Sequence, residues 1–304
     1  MNVLFISSGN NPDYQCDIIF HGLNKLENMN VYTISDMWYM FEGNSQSCLS
    51  NLYGKGFSLY NRLKVKKRIH NKIEVEGNIV DHFYDVIIYG SIHRCCDFWD
   101  LVVNNYPLDR VIIIDGEDYD YGFNIYRWKN SFYEYKLRGK SYNLSKKGIY
   151  FKRELRDVDR DAFFPISFAI PKENIVNNVM PKKKEWAYII PGKIETYRYD
   201  NESDYFMDYA ESNYAITVKK GGWDCLRHYE ILANACIPYF PDLKKCPMST
   251  MFMFPKQLIY ETNDLINKKK MTDKLYMFYV TELLQYTKNF LTTENIVKYM
   301  LSFL

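Results

Sequence analysis

No stretch of the chain approaches the roughly 18 apolar residues that a membrane-spanning helix needs, so the sequence reads as that of a soluble protein. Its opening residues, MNVLFISSGNN, lack the basic n-region and long apolar stretch of a secretory signal. The seven cysteines, Cys95 and Cys96 adjacent among them, form no CxxC pair and no Cys/His spacing suited to zinc. An odd number without a framework fits a reducing, cytoplasmic setting better than a secreted fold. An excess of one charge is missing too: 39 basic residues face 37 acidic ones, a net charge of +2. Bulk charge therefore gives no reason to expect nucleic acid. There is no internal repeat, and no phosphate-binding P-loop. Tyr53-Gly54-Lys55-Gly56-Phe57 lacks that motif's spacing and its Lys-Ser/Thr ending, and reads as a loop free to lean into a cleft.

What is present is alternation. The 304 residues suffice for one large α/β domain or two of roughly 150. Asn2 to Ser7 is a continuous apolar run of the parallel-strand kind, followed by Ser8-Gly9-Asn10-Asn11-Pro12 and a helix over Tyr14 to Glu27. Further strands are expected at 30–34, 85–90, 110–114 and 148–155, and Phe164 to Ile170 is the last apolar segment of the first half. The basic stretch Lys64 to Lys72 has helical character and reads first as a solvated face, although clustered cations also attract polyanions. Ser91-Ile92-His93-Arg94 follows the strand at 85–90. Ligands of open α/β sheets gather at the carboxyl ends of strands, which makes His93 and Arg94 candidate contacts.

The polar segment 171–184, bracketed by prolines and closed by three lysines, suits an interdomain linker, with a boundary at residue 178. The second half opens with Trp186 to Ile190 as a strand and a tyrosine-rich helix over 199–212. Gln257 to Tyr260 reads as a short strand, 263–270 as a helix, and Thr272 to Leu304 as one or two amphipathic helices. Their apolar faces are expected from Leu275, Phe278, Tyr279, Leu283, Leu284, Phe290, Ile296, Tyr299 and Leu301. Packing is expected of them rather than a membrane surface.

The densest signal runs from Asn213 to Leu243: strand, Gly221-Gly222 turn, helix over 225–235, strand. Asp224 stands at the position of an N-cap, and Arg227 and Glu230, three apart, share one helix face. Glycine-freed N–H groups, a helix N-terminus, a cation and a carboxylate are what a nucleotide diphosphate requires. The plainer alternative is a strand–helix–strand crossover carrying a surface ion pair.

The run Leu226-Arg227-His228-Tyr229-Glu230, followed by Ala233-Asn234-Ala235-Cys236-Ile237-Pro238, resembles the nucleotide-sugar site of GT-B glycosyltransferases. Gly222-Trp223-Asp224-Cys225-Leu226-Arg227-His228-Tyr229-Glu230 is most similar to exostosin-like and surface-polysaccharide enzymes, and it is similar to the LRxxE segment of phage DNA β-glucosyltransferase. The resemblance covers about thirty residues well and the remainder only in outline. It implies two Rossmann-like α/β domains facing a cleft, 1–178 on the acceptor side and 179–304 holding the donor. It further implies diphosphate contacts among Gly192, Lys193, Arg198, Lys220, Gly221, Gly222, Trp223, Asp224 and Arg227, ribose contact by Glu230, and an acceptor near Gly9 and Asn10. No cofactor or metal is implied beyond the nucleotide sugar as co-substrate.

A sugar transfer of the inverting kind needs a carboxylate to take the acceptor hydroxyl's proton. Asp115-Gly116-Glu117-Asp118-Tyr119-Asp120 crowds four carboxylates after a strand. Asp115 is the expected base, with Glu117 and Asp118 in reserve. Three other readings stand beside this one. Asp118-Tyr119-Asp120 is a DxD that a GT-A enzyme would use to hold Mn²⁺ or Mg²⁺. A phage-type enzyme would act on modified DNA bases, and a nucleotide- or sugar-binding protein would catalyse nothing. A glycan or another hydroxyl compound is the favoured acceptor.

Overall fold

The computed structural model describes residues 1–9, 12–64, 68–120 and 148–304. The first apolar run becomes β1 (Asn2–Ile6), buried from Val3 onward. Helix α1 (Tyr14–Lys25) begins where the Asp13 carboxylate accepts the N–H groups of Gln15 and Cys16 at 3.1 and 3.3 Å. The chain continues through β2 (Asn30–Thr33), the short α2 (Gln46–Leu49) and a tight turn at Tyr53–Gly56. Helix α3 (Lys72–Val80) starts from a capping box in which Asn71 and Glu74 each satisfy the other's backbone N–H. Then follow β3 (Val86–Tyr89), α4 (Trp99–Asn105), β4 (Val111–Asp115), β5 (Ile149–Lys152) and β6 (Phe164–Pro165).

These six strands form one parallel sheet in the order β2-β1-β3-β4-β5-β6. β1 is flanked by β2 on one side and β3 on the other, so the winding reverses there. The carboxyl ends of β1 and β3 are therefore the crevice where such a sheet takes ligands. Gly9 stands at that end with φ +67°, and a Cβ on it would lie 2.1 Å from the Cβ of Ser35.

The second half supplies β7 (Lys184–Trp186), α5 (Glu202–Ala210), β8 (Ser212–Ile216), α6 (Leu226–Ala233) and β9 (Ile237–Tyr239). Its three strands are parallel in the order β7-β8-β9. Helices α7 (Lys256–Asn267), α8 (Asp273–Phe290) and α9 (Thr293–Leu301) complete the chain. α9 returns to the first sheet and lies on α1, where His21 Nδ1 is 2.8 Å from Thr293 Oγ1.

One apolar core joins Val3, Phe5, Ile18 and Phe20 of the first sheet's layers to Leu226, Tyr229, Ile237 and Leu284 of the second's. The segment expected as a linker takes part: Ile175 is buried, and the Val176 N–H donates to Ala233 O at 2.9 Å. Four local readings are corrected. Gln257–Tyr260 is the start of helix α7, because its buried positions Ile259, Thr262 and Asn263 follow a helical period. Of Trp186–Ile190, only Trp186 belongs to a strand. Arg68 to Asn71 are extended, Ile69 bridging Thr33, and the helix starts at Lys72; residues 65–67 lie outside the described part. Phe278 and Phe290 are 55 % and 48 % exposed, while Tyr276, Val280, Leu283 and Leu284 make the inner face of α8.

Candidate functional site

Between the two sheets lies a cavity of about 270 Å³. Arg227 and Glu230 line it from the first turns of α6, together with Lys220 and Cys225 from the loop before that helix. Tyr197, Tyr199 and Tyr205 enter from the second half, Tyr14 from the start of α1, and Tyr53, Lys55 and Phe57 from the turn after α2. A larger surface groove of about 910 Å³ runs between α3 and α4, past His70, Lys72, Glu76 and Phe98. It takes in His70 and Lys72 from the end of the basic stretch, but none of the residues expected to hold donor or acceptor or to act as base.

Among the described residues, two of the three cations lining the cavity share an unusual partner. Lys220 Nζ and Arg227 Nη2 both donate to the Tyr197 hydroxyl oxygen at 3.2 Å. Neither forms an ion pair with a carboxylate among the described residues, and the buried Arg227 Nε has no hydrogen-bond partner there. Burial raises the Tyr197 phenol, but the Arg227 charge and the Lys220 hydrogen bond outweigh it, leaving its pKa below the ordinary tyrosine value. Two positive charges on one neutral oxygen form a seat for an anion.

Glu230 is 7 % exposed and accepts hydrogen bonds from the hydroxyls of Ser58 and Tyr205, one on each carboxylate oxygen. Burial pushes its pKa up against those two bonds. Both oxygens are thus taken by hydroxyls of the chain itself, which a ligand hydroxyl reaching this buried carboxylate would displace.

The glycine turn is arranged otherwise than the sequence suggests. The N–H groups of Trp223 and Asp224 donate to the Glu154 carboxylate at 3.0 and 2.9 Å. A Cβ on Gly221 would fall 2.2 Å from Asp118 Oδ2, and one on Gly222 2.5 Å from Glu154 Oε1. The turn thus holds carboxylates of the chain itself, and Arg153, 3 % exposed, bonds both acids. Asp224 is not the N-cap. That position is Cys225, while the buried Asp224 carboxylate accepts the Phe168 N–H and the Tyr229 hydroxyl at 2.7 and 2.9 Å. Burial pushes its pKa up to about 6. Trp223 lies beside Phe240 with the rings tilted by 37°, and Lys219 Nζ is 5.2 Å from its ring. Gly192, Lys193 and Arg198 do not line the cavity; Arg198 lies 3.7 Å over the Tyr188 ring.

At the carboxyl ends of β1, β3 and β4 the expected first-half residues do meet. His93 Nε2 is 2.5 Å from Glu117 Oε1 and 3.9 Å from Asp13 Oδ2, and Arg94 Nε is 3.2 Å from that same oxygen. The His93 hydrogen bond, opposed by burial, holds the Glu117 carboxyl below its usual range. Asp115 is 1 % exposed and takes hydrogen bonds from Lys152 Nζ at 2.9 Å and the Tyr150 hydroxyl at 2.8 Å. It does not line the cavity. Asp118 is ion-paired with Arg153, and Asn10 lies outside the described residues. Among the described residues no group of three or more His, Cys, Asp or Glu side chains is placed to hold a metal. No helix among them is long and apolar enough to cross a membrane.

Sequence reasoning passed over Tyr197, Ser58, Tyr205 and Glu154. Only the tyrosine-rich helix expected over 199–212 hinted at Tyr205, and nothing in the local sequence pairs Ser58 with a residue 172 positions away. No protein-family model matches the chain, and no curated protein matches it.

Proposed function

We propose that the chain is a glycosyltransferase of the GT-B kind, which takes a nucleotide-diphosphate sugar in the Arg227–Glu230 cavity and passes the sugar to a hydroxyl acceptor. The observation that carries this reading is the convergence of Lys220 and Arg227 on the Tyr197 oxygen, without a carboxylate partner among the described residues. A diphosphate would replace that neutral oxygen with charged ones, and Glu230 lines the same cavity as an acceptor for ribose hydroxyls. The tyrosines supply faces for a base to stack on. Two parallel sheets flank the cavity, and the switch-point crevice of the first supplies an acceptor side.

In the transfer, the acceptor oxygen bonds to the anomeric carbon as the carbon–oxygen bond to the diphosphate breaks. Arg227 and Lys220 stabilise the negative charge that moves onto the diphosphate. Since the Asp115 carboxylate is enclosed and held by Lys152, the acceptor's proton is assigned to the more open Glu117, oriented by His93.

A thermal-shift screen of nucleotide sugars tests the reading. A true donor at a hundredfold excess over its Kd adds about 2.7 kcal/mol to wild-type stability and far less to Glu230→Ala or Arg227→Ala. The absence of a shift with every nucleotide sugar sinks the proposal. A shift without transfer or donor hydrolysis favours a binding protein instead.

A further inference from the structure

The cavity's outer wall is a strap, residues 53–58, that comes from the first half and is fastened to the second. Lys55 Nζ donates to Tyr199 O and Asp200 Oδ1, both at 2.7 Å. The Ser58 N–H donates to Glu202 Oε1 at 2.6 Å, and its hydroxyl donates to Glu230 inside the cavity. The strap's backbone is left-handed at Gly54, Lys55, Gly56 and Ser58, with φ of +64°, +56°, +73° and +73°. Two of those positions are not glycine, and such conformations persist where surrounding contacts impose them, often at clamps and switches. With the strap down, the 270 Å³ cavity lies just below the roughly 300–1,000 Å³ of sites that enclose small molecules.

We infer that residues 53–58 are a latch on this cavity, released when Ser58 gives up Glu230 to an incoming ligand hydroxyl and refastened over the bound ligand. The inference rests on the reading of the cavity as a nucleotide site. Ser58 stands on Glu230 where a ligand diol would bond, so the occupied and unoccupied states compete for the same oxygen. Lys55 is the outer fastening. Its partner Asp200 is 92 % exposed and is not itself a lining residue, so Asp200→Ala loosens the latch while leaving every lining side chain in place.

Hydrogen–deuterium exchange of the peptide spanning 53–58 tests this, with UDP, GDP, ADP, CDP and inorganic pyrophosphate as probes. For whichever probe raises Tm, exchange in wild type should slow at least tenfold on binding. Asp200→Ala should exchange faster when free, and should bind and release the probe faster by up to about fivefold, the shift an exposed ion pair can supply. Ser58→Ala should loosen the same peptide. Binding with unchanged exchange, and with rate constants unaltered in Asp200→Ala, overturns the latch alone. Failure of every probe to bind overturns the nucleotide reading and the latch with it.

Discussion

The Glu154 carboxylate accepts the backbone N–H of Asp224 at 2.9 Å, filling with a side chain the glycine turn that phosphate oxygens would otherwise enter. On the proposed reading, anion recognition would therefore fall on side-chain cations rather than on the backbone, and the first prediction concerns them. Arg227→Ala should weaken binding of a nucleoside diphosphate by roughly 10- to 100-fold, the loss expected for a charged hydrogen bond. Arg227→Lys should recover little of it, because an ammonium cannot span two phosphate oxygens as the guanidinium fork does. Isothermal calorimetry on the three proteins decides the matter. Equal affinities would place the anion elsewhere.

Asp115 and Lys152 form a buried ion pair, each about 1 % exposed. Asp115→Asn leaves the ammonium without its counter-charge and should cost about 3–5 kcal/mol in urea unfolding. Transfer per folded molecule should stay within a few-fold of wild type. Glu117→Gln should do the reverse, keeping stability and losing roughly 10²–10⁴-fold in rate.

Two glycines predict opposite outcomes for the same substitution. Gly22 in α1 lies so close to α9 that a Cβ would sit 2.2 Å from Thr293 O, a backbone atom that cannot step aside. Gly22→Ala should cost about 1–3 kcal/mol through overpacking. Gly77 in α3 faces open space, so Gly77→Ala should gain up to about 1 kcal/mol from helix propensity. Denaturant midpoints of the two variants, measured side by side, report the difference.

Asp224 carries a pH dependence. Its folded pKa of about 6 lies above the unfolded value, so the native state binds the extra proton between them. The stability that Asp224 contributes is full below about pH 4 and is lost as pH rises through 6. Asp224→Asn abolishes that titration. The stability of Asp224→Asn minus that of wild type should thus rise by about 1.4 kcal/mol per pH unit between pH 4 and 6. A flat difference would show that the carboxyl stays ionised.

Much of the fold was legible. The continuous apolar runs at 2–7, 85–90 and 110–114 became β1, β3 and β4, because strands covered on both faces need no polar alternation. Helix α6 and the meeting of Arg227 and Glu230 in one cavity also followed, since a spacing of three fixes a shared helix face. What escaped were partnerships set by tertiary distance. Glu154 reaches the 222–224 turn and Ser58 reaches Glu230 from far along the chain, and neither has a local signature. The Gly221-Gly222 pair was read as room for a ligand, when the atoms nearest it belong to Asp118 and Glu154. Gln257–Tyr260 misled because four apolar and polar residues fit a strand as well as a helical turn.

The placement of α9 on α1 bears on how the polypeptide emerges during synthesis. Helix α1, which carries Ile18, Ile19 and Leu23, packs one flank against Thr293–Leu301, more than 260 residues further along, as the separation of 272 between His21 and Thr293 measures. A ribosome that has released the amino-terminal half has therefore not yet delivered the piece that seals it. Until residues 293–301 have emerged, the flank of α1 that α9 covers stays open, the kind of apolar surface that chaperones bind.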